Sequence, residues 1–468
     1  MMGLNIEYRI RNIELGNDSK FDILHSSLNN LLHIKNTMLK QIFKSIVTVI
    51  LEAEAKLVLK KYKPKIIAVT GSVGKTSTKD AIFAVVGETL IARKSEKSFN
   101  SEIGLPLTIL DCENAWSNPL LWSKNIIKGL ALIITSVHYP KWLVLELGAG
   151  KPGDIERATR IVTPDVAVVT RFGDVPVHVE FFKNPDELFE EKAELVKALR
   201  PTGVIIVNAD DERVLALREK TKAMSLTFGL NEGAMFRATN IHTAYEDGAP
   251  VGTTFKLEHD GSVFPVEMRG VLGVQPVYSA LAGISVGAYL KLNIVDIIGR
   301  LSSHISPAGR MRIIPGLKGS TIIDDTYNSS PVAAVAAVEA LKSIKTKGKR
   351  IAVLGDMLEL GKFTIDEHKK IGKLAGKFCD IIVAVGPRAQ YIAEGALDAD
   401  MSEKNIIDFD DSRLAGKYVE SIIGEGDVVL VKGSQGIRME RAVEEVMAEP
   451  WRAGELLVRQ EEEWKAKV

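Results

Sequence analysis

One stretch constrains this chain more than any other: Lys65–Ile66–Ile67–Ala68–Val69–Thr70, followed at once by Gly71–Ser72–Val73–Gly74–Lys75–Thr76–Ser77. An apolar, β-branched run stops at glycine and helical spacing resumes after Lys75, so the segment reads as strand, tight turn and helix. Glycines let backbone N–H groups turn inward toward an anion. Lys75 adds an ammonium, and the Thr76 hydroxyl is a ligand for a magnesium ion carried by phosphates. The helix N-terminus contributes its positive end. The loop is a shortened form of the longer Gly-x4-Gly-Lys pattern, and a strand–helix turn with a chance lysine is the alternative. Strand before, helix after and Lys–Thr together favour a nucleoside triphosphate. Gly71, Ser72, Val73, Gly74, Lys75, Thr76 and Ser77 are thus the expected cradle for ATP with Mg2+.

Further apolar runs at Trp142–Leu147, Asp165–Thr170 and Gly203–Asn208 alternate with helical segments, the pattern of a mostly parallel sheet covered on both faces. Residues 234–270 differ, with short alternating strands around the turn His259–Asp260–Gly261. Helical character returns at Val277–Tyr289, and Pro307 and Gly309 mark Ser306–Gly309 as a hinge. A second strand–helix series runs from Ser320–Asp324 to Asp427–Val431. The expectation is an α/β fold in four parts: an N-terminal helical segment (1–63), a P-loop central domain with a mostly parallel sheet and a small β-rich insert (64–306), a C-terminal Rossmann-like α/β domain (307–448), and a charged tail (449–468) read as a solvated helix.

Composition narrows the functional classes. Lys+Arg and Asp+Glu both number 60, so nothing draws the whole molecule toward nucleic acid. Cys112 and Cys379 stand in no metal-ligand spacing and read as buried small apolar residues in a reducing compartment. The runs Ile42–Leu51 and Ile126–Val137 fall short of the roughly 20 residues that span a bilayer. The charged start, with Glu7, Arg9 and Arg11, is not a signal peptide, which points to a cytoplasmic protein, expected to be a monomer. Apolar positions from Leu28 to Val58 recur at helical spacing before Lys60, Lys61, Lys63 and Pro64 end the pattern. Packing on the next domain is the plain reading of this helix. Contact with a membrane surface or a partner through residues 20–60 is the sharper one.

A triphosphate site also needs a carboxylate at the end of a neighbouring strand. Glu146 closes the run from Trp142, and an acid inside an apolar strand is costly unless it is paired or metal-bound. A salt-bridged strand end is the alternative. His178 and Lys192 are weaker signals by themselves. A loop histidine more often packs or faces solvent, and a lysine among Glu190, Glu191 and Glu194 more often forms surface pairs.

The order of motifs carries more than any one of them. The phosphate loop, Asn100–Leu110, Val144–Ile155, the His178 loop, the helix around Lys192 and Val207–Glu212 are followed by Pro307–Met311, Ile323–Pro331, Val353–Gly361 and Val431–Glu440. This succession resembles the Mur ligase family. The resemblance implies that Lys75 and Thr76 hold the triphosphate and a first Mg2+, with Glu146 bridging toward it. It implies that His178 ligates a second Mg2+ and that Lys192 is the lysine which family members carbamylate. Arg310 would reach the phosphates, Asp325 the ribose with Tyr327, Asn328 and Pro331 beside it, and Gln275 the adenine. Asn208 would open a nucleotide-adjacent segment, while Lys432, Gly433 and Ser434 would face the amino-acid substrate.

Lys75, Lys192, His178 and Arg310 are then the catalytic set. The implied activity is ATP-dependent, ADP-forming amide ligation through an acyl phosphate, most like the members that add D-alanyl-D-alanine to a UDP-muramoyl tripeptide in peptidoglycan precursor synthesis. The partners would be small molecules, a nucleotide-sugar peptide and an amino acid or dipeptide. Three departures matter. About sixty mostly helical residues precede the loop, without the motifs of the family's UDP-binding domain. Gln275–Pro276 stands where the family has its adenine-side His-Asn, and Gly150–Lys151 and Ser330 replace further family residues. They keep open a ligase of folylpolyglutamate or poly-amino-acid type, and a non-catalytic ATP-binding scaffold.

Overall fold

The computed structural model describes residues 43–96, 102–116 and 118–466, so the expected helical positions before residue 43 and the start of Asn100–Leu110 lie outside the described residues. The first sheet contains β1 (Lys65–Thr70), β2 (Ala92–Lys94), β3 (Trp142–Glu146), β4 (Val166–Val169), β5 (Val204–Asn208), β6 (Met224–Gly229), β7 (Phe236–Glu246), β8 (Ala249–His259) and β9 (Ser262–Arg269). Their order among the described residues is β2-β3-β1-β4-β5-β6-β7-β8-β9. Neighbours are parallel from β2 to β7. β3, β4 and β5 are buried along their whole length, because helices cover both faces. That is why they read as unbroken apolar runs and not as alternation.

Helices Lys75–Leu90 and Val274–Tyr289 pack on one face around Ile67, Val144 and Ile206. Helix 43–62, Gly104–Leu110, Pro119–Ile134 and Pro185–Lys197 pack on the other around Ala68, Leu145 and Ile205. The chain runs from β1 outward to β2, returns through β3 and then crosses to β4 on the other side of β1. Strand order therefore reverses around β1, the position beyond which parallel sheets collect ligands at their C-terminal ends.

Residues 234–270 are less an insert than an antiparallel extension of the same sheet. β7, β8 and β9 continue from β6, and Asp260 and Gly261, both at positive φ, close the last hairpin between His259 and Ser262. A second sheet holds β10 (Arg312–Pro315), β11 (Thr321–Asp325), β12 (Arg350–Gly355), β13 (Ile381–Val385), β14 (Ile406–Phe409) and β15 (Val428–Lys432), in the order β10-β11-β15-β12-β13-β14. All its pairs are parallel except β10 with β11.

The segment after Glu449 departs from expectation. It is not one solvated helix but short helical pieces, Pro450–Arg452, Ala453–Leu456 and Glu462–Lys465, with Leu456 and Leu457 buried against the second sheet's core and Arg459 buried beside Glu440 at 2.9 Å. Charge content suggested solvent exposure; pairing the buried guanidinium with a buried carboxylate removes that requirement. The two sheet-bearing halves touch closely. Leu272 N donates to Met311 O at 3.1 Å and Ile313 N to Gly270 O at 2.9 Å. A Cβ on Gly173 would lie 2.2 Å from Val332 of the second half. Among the described residues no helix is long and apolar enough to cross a membrane.

Candidate active site

The phosphate loop is clamped from one side. Gly71 leaves β1 at φ 139°, and a Cβ there would sit 2.0 Å from Thr170 Oγ1, so only glycine fits. The Thr170 hydroxyl donates to Val73 O at 2.7 Å. Arg171 O accepts from Ser72 N and Val73 N at 2.8 and 3.1 Å, which ties the loop to the end of β4. Gly74, at φ 83°, starts helix Lys75–Leu90 with no side-chain cap and no acid in the first turn. The positive end of that helix is thus left for a ligand's charge.

Beyond the loop opens a cavity of about 320 Å³. Ser72 to Thr76 and Glu146 line it from the first half with His178; Arg310, Tyr327 and Asn328 close it from the second. Burial lowers the Lys75 ammonium from its ordinary value, Glu146 works against that, and Arg310 lowers it further. Arg310 donates to Thr76 Oγ1 at 3.0 Å, and its guanidinium lies 3.9 Å from the centre of the Tyr327 ring. Lys75, Thr76 and Glu146 of the first half and Arg310 of the second therefore share one polar space.

Lys192 stands just behind the loop. Helix Pro185–Lys197 turns Leu188, Phe189, Lys192, Leu195 and Val196 inward, so the lysine is buried and not part of a surface pair. Its Nζ donates to Ser72 Oγ at 2.8 Å and lies over the Phe172 ring. Burial, and secondarily the charge of Lys75, hold its ammonium well below the ordinary lysine range. His178 occupies a left-handed turn at φ 73°. Its Nδ1 meets Glu359 Oε2 at 2.5 Å, so the imidazole is joined to the second half.

Other expected residues lie apart from the cavity lining. Asp325 has both oxygens engaged, by Lys432 Nζ at 2.6 Å and by Met311 N at 3.2 Å. Lys432 also donates to Asn328 O at 3.0 Å. Gln275 Nε2 is buried with no hydrogen-bond partner among the described residues, and so is Asn208 Nδ2. Ser434 Oγ accepts from Leu358 N at 2.8 Å, while a Cβ on Gly433 would meet Met439 at 2.6 Å. Ser77 follows the loop on the first turn of its helix.

Sequence reasoning missed the part of the site supplied by residues 454–464. A second cavity of about 450 Å³ adjoins the first and shares Thr76, Arg310 and Tyr327 with it. Leu457, Val458, Arg459 and Trp464 line its other side. Arg459 donates to Thr326 O at 3.2 Å and also to Tyr327 O, fixing the backbone that carries the Tyr327 ring. The available signal was Leu456–Leu457–Val458, an apolar run inside the charged tail.

Among the described residues no group of three or more His, Cys, Asp or Glu is placed to hold a metal ion. A hydroxyl from Thr76 and a carboxylate from Glu146 in one cavity do suit Mg2+, which keeps several waters and takes phosphate oxygens for the rest of its sphere.

Two family models match in succession: the Mur ligase middle domain over residues 123–287 and the Mur ligase, glutamate ligase domain over residues 309–435. The UDP-N-acetylmuramoyl-tripeptide–D-alanyl-D-alanine ligase of Bacillus subtilis strain 168 is 29% identical over 402 residues, covering 86% of this chain and 79% of that protein. The crystal structure of MurF ligase from Thermotoga maritima in complex with ADP is similar at 28% identity and a TM-score of 0.69, covering 85% of this chain and 83% of that one. MurF from Acinetobacter baumannii gives 26% identity and a TM-score of 0.69, over 84% and 79% of the two chains. With both domain models in the expected order and a phosphate loop built as described above, the chain belongs to the Mur ligase family.

Proposed function

We propose that this chain is an ATP-dependent, ADP-forming ligase that joins the terminal carboxylate of a UDP-muramoyl tripeptide to the amine of D-alanyl-D-alanine. One observation carries the reading: Lys75, Thr76 and Glu146 face Arg310 across a single polar cavity between the two halves. A ligase that makes an acyl phosphate needs phosphate charge gripped from two sides while the carboxylate approaches, and these residues supply that grip. The named reaction of the Bacillus subtilis relative supports the choice of substrates.

In the first step a substrate carboxylate oxygen attacks the γ-phosphorus and the bond to the ADP oxygen breaks. Lys75 and Arg310 stay beside the phosphate oxygens as charge spreads over them. Mg2+ held by Thr76 and Glu146 would neutralise phosphate charge when bound. In the second step the amine attacks the acyl carbon, phosphate leaves with the bonding pair, and the amide forms after the amine gives up a proton. The second half, joined to the first through His178 and Glu359, excludes water from the acyl phosphate.

Lys192 fits a further role. A lysine held well below its ordinary range keeps part of its population as free amine, which is the form that takes up CO2. The carbamate would place an anion beside Ser72 and Lys75, and with His178, once released from Glu359, it would hold a second Mg2+ when bound. Residues 64–306 and 307–448 act as the central and C-terminal domains of a cytoplasmic enzyme.

The test is ligation by purified protein with ATP, Mg2+, UDP-MurNAc-tripeptide and D-alanyl-D-alanine, read as phosphate release and as product mass, with Lys75→Ala as control. Product that disappears in the control supports the reading. Ligation to glutamate in place of the dipeptide moves it to the folylpolyglutamate type. ATP binding without any ligation overturns the enzyme reading.

A further inference from the structure

Two neighbouring helices of the first half present aliphatic side chains to solvent in ordered rows. In Pro119–Ile134, Trp122, Asn125 and Gly129 turn inward. Leu120, Ile127 and Ile134 are 80%, 66% and 79% exposed, and their spacing of seven residues sets them in one line along the outer face. In helix 43–62, Val47, Leu51, Ala55 and Val58 are buried while Ile46, Val49 and Leu57 form the outward row. The pair is fixed in place. Lys61 Nζ donates to Leu132 O and Ile133 O at 3.0 and 2.9 Å, and Tyr62 OH donates to Leu132 O at 3.0 Å. Single exposed aliphatics are ordinary on a protein surface; ordered rows on adjoining helices mark an interaction face.

Charge around the rows selects the partner. Lys56, Lys60 and Lys63 surround the end of one helix and Lys124 flanks the other, while Lys61 is held by carbonyls of the second helix and Lys128 by Asp111. Of the nearby acids, Asp111 is held by Lys128 at 2.9 Å and Glu52 by Arg157 at 2.7 Å. Aliphatic rows edged by ammonium groups match a bilayer with anionic headgroups, acyl chains taking the rows and phosphates taking the lysines. A second copy docked through a two-fold axis would set lysine against lysine. Over the described residues neither helix is long and apolar enough to cross, and the rows lie along the helix faces, as in a contact in the interfacial plane.

We propose that the face formed by helix 43–62 and helix Pro119–Ile134 binds anionic lipid surfaces. This is independent of the ligase reading, since none of these side chains lines the nucleotide cavities. The test is sedimentation of the full chain with vesicles of phosphatidylcholine alone and with phosphatidylglycerol added. Binding is expected to the anionic vesicles, to weaken with salt, and to fall about fivefold for each of Lys56→Gln and Lys60→Gln. Ile127→Glu combined with Ile134→Glu is expected to abolish it with the melting temperature unchanged.

A fluorophore on Ile127→Cys, which labels selectively because Cys112 and Cys379 are buried, is expected to shift to the blue on anionic vesicles only. Absence of binding to anionic vesicles overturns the proposal. So does binding that survives the double glutamate change, or a dimer in sedimentation velocity that Ile127→Glu dissociates.

Discussion

Around the Lys192 ammonium stand one hydroxyl, Ser72 Oγ, and the face of the Phe172 ring. The native state gives up a proton there that the unfolded chain keeps, so the burial costs stability at neutral pH and the cost fades as pH climbs toward the ordinary lysine value. Lys192→Met is therefore expected to unfold at higher urea, by about 1 kcal/mol, while losing ligation. Equilibrium unfolding in bicarbonate-free buffer beside an activity assay checks both halves. Glu54 gives the opposite slope. Burial between helix 43–62 and Gly129 raises its carboxyl from 4.5 to about 7, and neither oxygen has a hydrogen-bond partner among the described residues. The native state thus holds a proton that the unfolded chain has released, and stability falls as pH rises from 4.5 to about 7. Glu54→Gln is expected to flatten that fall, measured by unfolding at about pH 5 and about pH 8. Of these two residues, motif order singled out Lys192, and the inward stripe of Leu188, Phe189, Leu195 and Val196 was a second signal for it. Glu54 was not legible, because the glycine it packs against lies in another helix, 75 residues on, and only the fold brings the two together.

At the scale of the element, the turn after β1 stores the most specific geometry. Gly71→Ala would put a methyl carbon into Thr170 Oγ1 at a backbone angle that side chains avoid. A loss of about 1–3 kcal/mol in stability is expected, with ATP affinity falling further because the loop must move off Arg171. Thermal unfolding and calorimetric titration with ATP separate the two effects. This element was the most legible in the chain. Lys65–Thr70 and the helix from Lys75 stand where the apolar run and the glycines put them, because local sterics decide such a turn. The tail was read wrongly for the contrary reason. Its burial rests on Glu440 and the Tyr327 backbone, partners that no local pattern announces.

For the molecule as a whole, the cavity exists only while the two halves stay together. Gly173, at φ 73°, lets its loop approach Val332 closely, and His178 meets Glu359 nearby. Gly173→Val is expected to hold the halves apart, lowering kcat about a hundredfold because Arg310 no longer meets Thr76. A larger radius of gyration by small-angle scattering would accompany the loss. Alternating strands and helices made both sheets readable, but which residues of one half touch the other depends on distances that sequence periodicity does not carry.

The order of the second sheet bears on how the chain is made. β15 is the last of its strands to be synthesised, yet it sits between β11 and β12 and ends in the lysine that holds Asp325. Until it emerges from the ribosome, two strand edges face each other across a gap with their backbone groups unsatisfied, the kind of surface that recruits neighbouring nascent chains. Stop codons placed before Val428 should therefore yield aggregates, not a shortened soluble form.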